Sequence, residues 1–360
     1  MKVALLGMVG EYDKEAASLS GINKYMYSIY SEIKKIGGLE IDKIEYKKVA
    51  KKFPWANHLA FYLQSGKVGN KAYDIIHNPN GIRPCRIKSN GRTKFVTTIH
   101  DLMPVTDRSR PFHGLKGGLV SLNSRFSDYV ATEGFKLALK SDHIIVDAEL
   151  GKSELVEFAK EHGGYDPEKI TAIRLAIDEK FNSPVPPKKK NKIFKVGYVG
   201  SYNGTKNINM AITSIKLIED KEVSLELWGK KTVEAQLLDA LIGGDKRIQF
   251  KGIAPEEQKV GIFDSFDVFV HPGVYESIIQ FEALARGLPV IVRKDAKLTE
   301  DLRAHCFEVE DEQQMAECIM RLKSQGYEER KRKEGIEWAR GFTWKRNAED
   351  VVKVYKKVLE

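Results

Sequence analysis

The chain has 360 residues, of which 42% are hydrophobic and 30% are charged, a balance typical of a folded globular protein and unlike that of a disordered one. That length allows two domains with a core each, and no apolar run reaches the roughly 18 residues of a membrane-spanning helix. The net charge of +9 favours an anionic partner, such as a nucleotide, a lipid headgroup or a nucleic acid. Cys85, Cys306 and Cys318 form no close pair, so we expect no disulfide framework and no metal site, and a reducing cytoplasm as the location.

The first half alternates apolar strand patterns with amphipathic helix patterns. Residues 2–6 predict a first strand rather than a signal peptide, and residues 22–36 predict a helix with one apolar face. Further buried strands are predicted before His77 and at residues 94–99, 142–146 and 169–173. This alternation indicates a doubly wound parallel sheet.

Residues 47–63 read KKVAKKFPWANHLAFYL and mix lysines with aromatic residues. Such a basic, aromatic stretch can lie on an anionic bilayer surface. An ordinary helix that packs its aromatic residues inward and leaves its lysines in water has the same pattern. Both interpretations remain open at this point.

The strand at residues 94–99 is followed by His100 and Asp101. The ends of parallel strands face the ligand crevice, and an imidazole can donate a hydrogen bond at neutral pH. A lone histidine is more often structural, however. Asp101 either holds the imidazole or caps the next segment.

A proline- and lysine-rich stretch at residues 182–192, NSPVPPKKKNK, is the clearest domain boundary. Beyond it, residues 194–199 predict a strand, Gly200 follows, and Lys206 precedes a helix predicted at 207–218. A lysine and the amides of a helix N-terminus can together stabilise the charge of a phosphate leaving group without a metal. On spacing alone, a single lysine is usually surface charge.

Residues 266–292, FDVFVHPGVYESIIQFEALARGLPVIV, predict a strand, a polar loop, a short helix that begins at Ser277, and a second strand. Ligands of such βαβ units bind beyond the carboxyl ends of the strands. Glu276 and Glu282 lie in the loop and on the helix at that edge, and the helix N-terminus offers unpaired amides to an anion.

Several of these motifs resemble the retaining glycosyltransferases of the GT-B fold in glycosyltransferase family four, or glycosyl transferases group 1. The resemblance rests on TTIHDLMP at residues 97–104, on Gly200 with Lys206, on FKG at 250–252 and on EALARGLPVI at 282–291. It implies an α/β fold of two Rossmann-like domains, each a doubly wound parallel sheet, that face a central cleft. It also implies an acceptor-side domain at 1–183, a linker at 184–192, a nucleotide-sugar domain at 193–340, and a helix at 341–360. That last helix either returns to the first domain or caps the second.

The resemblance further implies roles for individual residues. His100, Lys206 and, with less support, Glu276 would act on the sugar and the diphosphate. The donor nucleotide sugar would be bound by Gly21, Gly200, Lys206, Gly252, Ile253, Ser277, Ile278 and Glu282. The Ser20-Gly21 pair can equally be a plain N-cap turn.

Three departures from the family pattern bear on activity. The family's two glutamates are eight positions apart, whereas Glu276 and Glu282 are six apart, so either the loop is two residues shorter or Val274 occupies the place of the first glutamate and Glu276 is unrelated to it. Ser201-Tyr202 stands where the family has an arginine, so either another cation such as Arg293 or Lys294 substitutes or the phosphates are held less tightly. The family's double glycine is here Ser20-Gly21.

The predicted function is the retaining, metal-independent transfer of a hexosyl unit, of mannose or glucose type, from a GDP- or UDP-sugar to a glycan or lipid-linked acceptor. No further cofactor is expected. A GT-B sugar-nucleotide epimerase and a family member that binds without catalysis are the alternatives. Nucleic acid is not an expected partner, because the lysines are scattered and no recognised motif appears. The expected location is the cytoplasm, with peripheral contact of residues 47–63 with an anionic inner membrane face as an alternative.

Overall fold

The structure is a computed structural model that describes residues 1–17, 20–49, 54–66, 68, 73–86, 92–102, 129–187, 192–202, 204–230 and 235–360. These residues form two compact units. The first comprises Met1–Leu175 and Trp344–Glu360, and the second comprises Ala176–Thr343. Part of the basic stretch (50–53), the end of the TTIHDLMP motif (103–104) and part of the predicted linker (188–191) lie outside the described residues.

The first unit is built on a six-stranded parallel sheet with the order β2-β1-β3-β4-β5-β6. Its strands are β1 Lys2–Met8, β2 Glu40–Tyr46, β3 Ile75–Asn78, β4 Lys94–Ile99, β5 His143–Val146 and β6 Ile170–Ala172. The central strands are buried on both faces, as in Val3, Ala4 and Leu5 of β1. Helices cover both faces of such a sheet, and this explains the continuous apolar runs of its strands.

The helices of the first unit include a final one that the chain reaches only after completing the second unit. They are Lys14–Ala17, Gly21–Ile33, Pro54–Ser65, residues 129–138, Glu149–Glu161 and Trp344–Leu359. We call Trp344–Leu359 the terminal helix. It packs against Gly21–Ile33, and the hydroxyl of its Tyr355 lies 2.6 Å from Nδ1 of His77 in β3.

The second unit repeats the plan, with a parallel sheet in the order β12-β11-β10-β7-β8-β9. Its strands are β7 Phe194–Val199, β8 Val223–Trp228, β9 Ile248–Gly252, β10 Val268–His271, β11 Val290–Arg293 and β12 Cys306–Val309. Its α-helices are Ile208–Leu217, Ala235–Ile242, Lys259–Asp264, Ile278–Ala285, Glu300–Arg303, Glu312–Gln325 and Glu329–Arg340. The order changes direction between β7 and β10, which is the topological switch point of this sheet.

The fold class predicted from the sequence is confirmed, whereas three edge strands were not anticipated. All three, β2, β9 and β12, are largely half-buried or exposed. An edge strand pairs on one side only and lacks the continuous apolar run of a central strand, so the pattern that revealed the others is absent. The predicted linker at 184–192 stays a prediction. Among the helices that the structure describes, none is long and apolar enough to cross a bilayer.

Candidate functional site

Three glycines lie side by side at the carboxyl ends of β7, β8 and β9. The Gly200 amide donates to the Trp228 carbonyl over 2.8 Å, and the Gly229 amide donates to the Gly252 carbonyl over 2.7 Å. A Cβ at Gly229 would lie 1.8 Å from the Gly200 carbonyl oxygen, so this close approach requires glycine. At Gly252 the backbone is left-handed, with φ at 82°, and the space above it is open. The sheet therefore presents bare backbone along this edge, and the neighbouring Ile253 is 50% exposed.

The switch point between β7 and β10 brings two loops together. The Val274 amide donates to the Thr205 carbonyl over 3.1 Å, which ties the loop after β10 to the short Gly204–Lys206 turn. A Cβ at Gly273 would lie 3.4 Å from Cδ of Lys206 and 3.0 Å from Cε1 of His271. Lys206 is thus held at the crevice where ligands of doubly wound sheets bind.

His271 is a buried histidine that sequence reasoning did not single out. It is 1% exposed, and burial together with the charge of Lys206 lowers its pKa well below the ordinary value. The imidazole is therefore neutral at physiological pH. Its position, directly before a Pro-Gly pair at a strand end, was the only sequence signal that could have identified it.

Glu276 is directed towards the loop that follows β11. Its carboxylate accepts from the Thr299 hydroxyl over 2.7 Å and from the Thr299 amide over 3.1 Å, and its own amide donates to the Lys297 carbonyl over 3.2 Å. The loop after β10 is thereby fastened to residues 297–299.

The helix Ile278–Ala285 has Ser277 as its N-cap residue, close to the predicted start. The Gln280 side chain accepts from the Ser277 amide over 2.7 Å, which satisfies one of the donors at the helix N-terminus. Ile278 follows as the first helical residue and is nearly buried. The amides of this first turn lie at the same edge of the sheet as Lys206.

Glu282 is completely buried on this helix, and its partner is Lys259. The Lys259 ammonium lies 2.9 Å from Oε2 and 3.2 Å from Oε1 of the carboxylate. Sequence reasoning missed Lys259, because the pair joins residues from two separate helices and no local pattern marks it.

Arg286 is a second charged residue that sequence reasoning missed. It is 1% exposed, and its guanidinium forms an ion pair with Asp264 at 2.8 Å. It also donates to the carbonyl of Ser183 over 2.7 Å and to that of Pro184 over 3.1 Å. Arg286, the residue after the helix Ile278–Ala285, thus connects this helix to Ser183 and Pro184 near the start of the second unit.

The two cations predicted to replace the family's arginine both form ion pairs. Arg293 pairs with Asp295, and Lys294 lies 2.5 Å from Glu310. Lys294 is also largely exposed. Each of these charges is therefore largely compensated by a carboxylate in this structure.

In the first unit, both imidazole nitrogens of His100 face acceptors. Nδ1 lies 3.0 Å from each carboxylate oxygen of Asp147, and Nε2 lies 3.0 Å from the Pro79 carbonyl oxygen. Burial alone would lower the pKa of His100, but Asp147 and Pro79 together raise it above its ordinary value. Two acceptors require two N–H groups, so the geometry favours the imidazolium. Asp147, and not Asp101, therefore holds this ring.

Gly21 opens the helix Gly21–Ile33 in an exposed position. A Cβ there would meet nothing within 4 Å, so neither space nor backbone conformation requires glycine. Ser20 before it has an extended backbone and makes no side-chain cap. This local structure is that of a plain helix start.

The switch point of the first sheet, between β1 and β3, holds a further charged pair. Glu11 and Arg83 form a two-pronged ion pair, and the Glu11 carboxylate also accepts from the Met8 amide over 2.8 Å. Both side chains are largely buried. The pair closes the loop after β1 onto the loop after β3.

The sequence match to a known protein family lies in the second unit. Residues 193–325 match the sequence profile described as "Glycosyl transferases group 1". The fold is that of GT-B glycosyltransferases. The resemblance to glycosyl transferases group 1 is thereby confirmed over residues 193–325, and the assignment to family four stays a prediction. No curated protein sequence matches the chain.

Solved structures with this fold align over nearly the whole chain. Sucrose-phosphate synthase from Thermosynechococcus elongatus is 17% identical, covers 99% of each chain and has a TM-score of 0.77. A glycosyltransferase from Rickettsia africae is 14% identical, with a TM-score of 0.65 over 100% of this chain and 99% of the other. Anabaena HepE, in a complex with UDP and glucose, is 13% identical, with a TM-score of 0.64 over 99% and 100%. At these identities the likeness concerns the fold.

Proposed function

We propose that this protein is a retaining glycosyltransferase that moves a hexosyl unit from a nucleotide-diphosphate sugar to a glycan or lipid-linked acceptor. The observation that carries the proposal is the position of Lys206, held at the switch point of the second sheet beside the bare strand ends. A diphosphate placed there meets a cation and helix amides, which is the chemistry that its departure needs.

In the proposed reaction the bond between the anomeric carbon and the donor β-phosphate oxygen breaks first. Negative charge then grows on the diphosphate, and Lys206 with the first-turn amides of Ile278–Ala285 stabilises it. The acceptor hydroxyl adds to the same face of the oxocarbenium-like sugar, and its proton passes to the departing phosphate. No protein nucleophile and no metal take part in this proposal.

The other proposed contacts follow from where each residue lies. In the proposal the diphosphate meets the backbone at Gly200, where a Cβ would collide with the Tyr198 hydroxyl, Gly252 and Ile253 contact the base, and Ser277 and Ile278 supply amides. Glu282 is buried in the structure described, so its proposed contact with the ribose hydroxyls needs a local rearrangement.

Two proposed sugar contacts need a change from the structure described. His100 must release the Pro79 carbonyl before Nε2 can donate to the sugar, and Glu276 must release Thr299. Gly21, at the open start of its helix, remains a proposed contact to the donor phosphate. Because Thr299 occupies the Glu276 carboxylate, these contacts favour one alternative, namely a protein that binds the donor without transferring it.

We propose UDP or GDP as the nucleotide of the donor, and mannose or glucose as its sugar. The crystallisation of Anabaena HepE with UDP and glucose supports the UDP and glucose variant.

A lipid-linked acceptor would fit a peripheral membrane contact at residues 47–63. Three apolar side chains of this region are exposed: Val49 by 64%, Leu59 by 51% and Leu63 by 56%. Lys47 and Lys48, which precede Val49, are exposed as well, and exposed apolar and basic side chains suit anionic lipids. We expect the protein to sediment with anionic liposomes at low salt, and Leu59→Glu with Leu63→Glu to abolish this. Failure of the wild-type protein to sediment would contradict the contact.

The proposed function is tested by a thermal-shift panel of UDP, GDP, ADP and dTDP, with and without magnesium, followed by transfer assays with the matching sugars. A nucleotide at about a hundredfold its Kd adds about 2.7 kcal/mol of stability, which is readily measured. A shift from one nucleotide without magnesium, followed by transfer with retained anomeric configuration, is the expected result. Binding without transfer would favour the non-catalytic alternative, conversion of the donor without an acceptor would favour the epimerase, and no shift would contradict donor binding.

A further inference from the structure

Four side chains inside the first unit form a hydrogen-bonded network that joins the terminal helix to the helix Gly21–Ile33. The Tyr355 hydroxyl lies 2.6 Å from Nδ1 of His77, and Nε2 of His77 lies 2.7 Å from Oγ1 of Thr98. The same Thr98 oxygen lies 3.2 Å from the Tyr25 hydroxyl. None of the four residues is more than 2% exposed, so bulk water has no access to these hydrogen bonds. We call these four side chains the buried network.

The imidazole in the middle makes the two ends of the buried network depend on each other. Burial lowers the pKa of His77 to about 3, so this ring is neutral at physiological pH. A neutral imidazole has one donor nitrogen and one acceptor nitrogen. The hydroxyls of Tyr355 and Thr98 therefore take opposite roles, because one donates to the ring and the other accepts from it. Loss of the Tyr355 hydroxyl would release the His77 ring, and the change would reach Thr98 and Tyr25.

The Tyr25 ring packs against His100, the proposed sugar contact. The two ring centroids are 4.7 Å apart and the ring planes differ by 77°, which is an edge-to-face contact. Hydrogen bonds with Asp147 and Pro79 hold the two imidazole nitrogens but leave the ring free to tilt about the line between these partners. Packing against Tyr25 restricts this tilt. When Nε2 leaves the Pro79 carbonyl for the sugar, Asp147 and Tyr25 continue to orient the ring.

The terminal helix supports Tyr25 at a second point. Trp344 is the first residue of this helix and is nearly buried, and its ring centroid lies 6.2 Å from that of Tyr25. The terminal helix therefore contacts the Tyr25 ring near its start, and it reaches the Tyr25 hydroxyl through Tyr355 and the rest of the buried network. The position of Tyr25 thus depends on how the terminal helix packs on the first unit.

We infer that Tyr25 is a positioning residue for His100 and that the terminal helix sets its position through the buried network. The network holds the Tyr25 hydroxyl, and the Tyr25 ring keeps the imidazole in the orientation from which it acts on the donor sugar. This inference rests on the proposed function, because it assigns His100 to the sugar. A network that only stabilises the fold predicts a different outcome, since the loss of one hydroxyl would lower stability without any effect on His100.

The experiment compares Tyr355→Phe and Tyr25→Phe with the wild-type protein. Each variant removes one hydroxyl and keeps the ring. NMR of the imidazole resonances reports on His100 itself, and steady-state kinetics with the donor found in the nucleotide panel reports on transfer. We expect both variants to move the His100 resonances and to lower kcat by about 2- to 10-fold, the value of one neutral hydrogen bond. The KM for the donor should change less than kcat, because the nucleotide is bound by the second unit.

Tyr165→Phe is the matched control. The Tyr165 hydroxyl donates to the Ser141 carbonyl over 3.0 Å in the same unit, so this variant also loses one hydrogen bond of a tyrosine. It should lower the free energy of unfolding to a similar extent as Tyr355→Phe. The His100 resonances and kcat should stay at their wild-type values in this control.

Thr98→Val keeps the test decisive if Tyr355→Phe does not fold. It removes the hydroxyl that joins His77 to Tyr25 at nearly constant shape, and it should change kcat and the His100 resonances in the same way. Wild-type resonances in Tyr355→Phe and Thr98→Val, or a wild-type kcat in both, would overturn the inference and leave the proposed function intact. Absence of transfer by the wild-type protein would instead overturn the proposed function, and this inference with it.

Discussion

Two basic side chains share the space around Gly273, and their protonation states differ. Lys206 is half-buried at the crevice, whereas His271 is buried beneath it, with a pKa well below its usual range because of burial and the lysine charge. A neutral imidazole can pack beside the lysine without adding repulsion. The positive charge that Lys206 brings to this crevice is therefore not opposed by a second charge on His271.

Replacing this lysine tests its role directly. Lys206→Ala should lower kcat/KM by the equivalent of about 2 to 4 kcal/mol, which is the effect of removing one oxyanion donor. Lys216→Ala is the matched control, since the Lys216 ammonium donates to the Leu241 carbonyl on the exposed side of the next helix. Steady-state kinetics with the donor found in the nucleotide panel measures both. Equal values for Lys206→Ala and the wild-type protein would remove Lys206 from the mechanism.

The raised pKa of His100 depends on Asp147. Burial opposes the charge on this imidazole, and the neighbouring carboxylate outweighs burial. In Asp147→Asn the carboxylate charge is gone, so the pKa of His100 should fall below the ordinary value of a histidine. An NMR titration of the imidazole protons measures it. A pKa that stays raised in this variant would show that the Pro79 carbonyl suffices.

At the scale of elements, glycines lie at the ends of three neighbouring strands of the second sheet, and their backbones approach one another closely. Their packing leaves no room for a methyl group at Gly229, where a Cβ would lie 1.8 Å from the Gly200 oxygen. Gly261, in the helix Lys259–Asp264, is the opposite case, because a Cβ there would meet nothing within 4 Å. The two positions form a natural pair for mutation.

Gly229→Ala should destabilise the protein by about 1 to 3 kcal/mol, because the strand ends must separate, and should weaken nucleotide binding. Gly261→Ala should leave binding unchanged and stabilise the protein by up to about 1 kcal/mol, since alanine is the better helix former. Urea unfolding and nucleotide titration of both variants measure these effects. Similar behaviour of the two variants would mean that the strand ends relax without affecting the crevice.

The same elements show what sequence could and could not predict. Central strands such as β1 and β10 were found because both faces are buried and their residues are continuously apolar. Gly200, Lys206 and Glu282 were predicted as site residues because the family motifs that they match are short and local in sequence, and their roles stay predictions. Lys259, Arg286 and the Asp147 partner of His100 were not found, since each contact joins distant segments and follows only from packing. For Glu276, spacing indicated the loop but not the direction of the carboxylate.

For the whole molecule, buried neutral histidines make stability depend on pH. Burial lowers the pKa of His77 to about 3 and that of His143 to about 4. Well above about pH 6.5, the ordinary pKa of a histidine, neither state carries a proton on these rings, and their contribution to stability is fully present. As the pH falls below this range, the unfolded chain binds protons on these histidines and the folded chain does not, so the free energy of unfolding falls. His100 has the opposite sign, since its stabilisation is present at low pH and is lost as pH rises through its raised folded pKa.

We therefore expect the free energy of unfolding to fall by about 1 kcal/mol for each of His77 and His143 between about pH 7 and about pH 5.5. His143→Gln should reduce the loss by its own share, and urea titrations at the two pH values measure it. An unchanged or higher stability at the lower pH would contradict the proposed protonation states.

The terminal helix has a consequence for the order in which a ribosome can complete this protein. The first unit is synthesised first but lacks Trp344–Leu359 until the last residues emerge, and the contact of His77 with Tyr355 spans 278 positions. The second unit is continuous in sequence and holds all of its strands by residue 309. During synthesis the second unit can therefore be complete while the first unit still lacks the terminal helix. A stop codon shortly before Trp344 would accordingly damage the fold of the half that was made first.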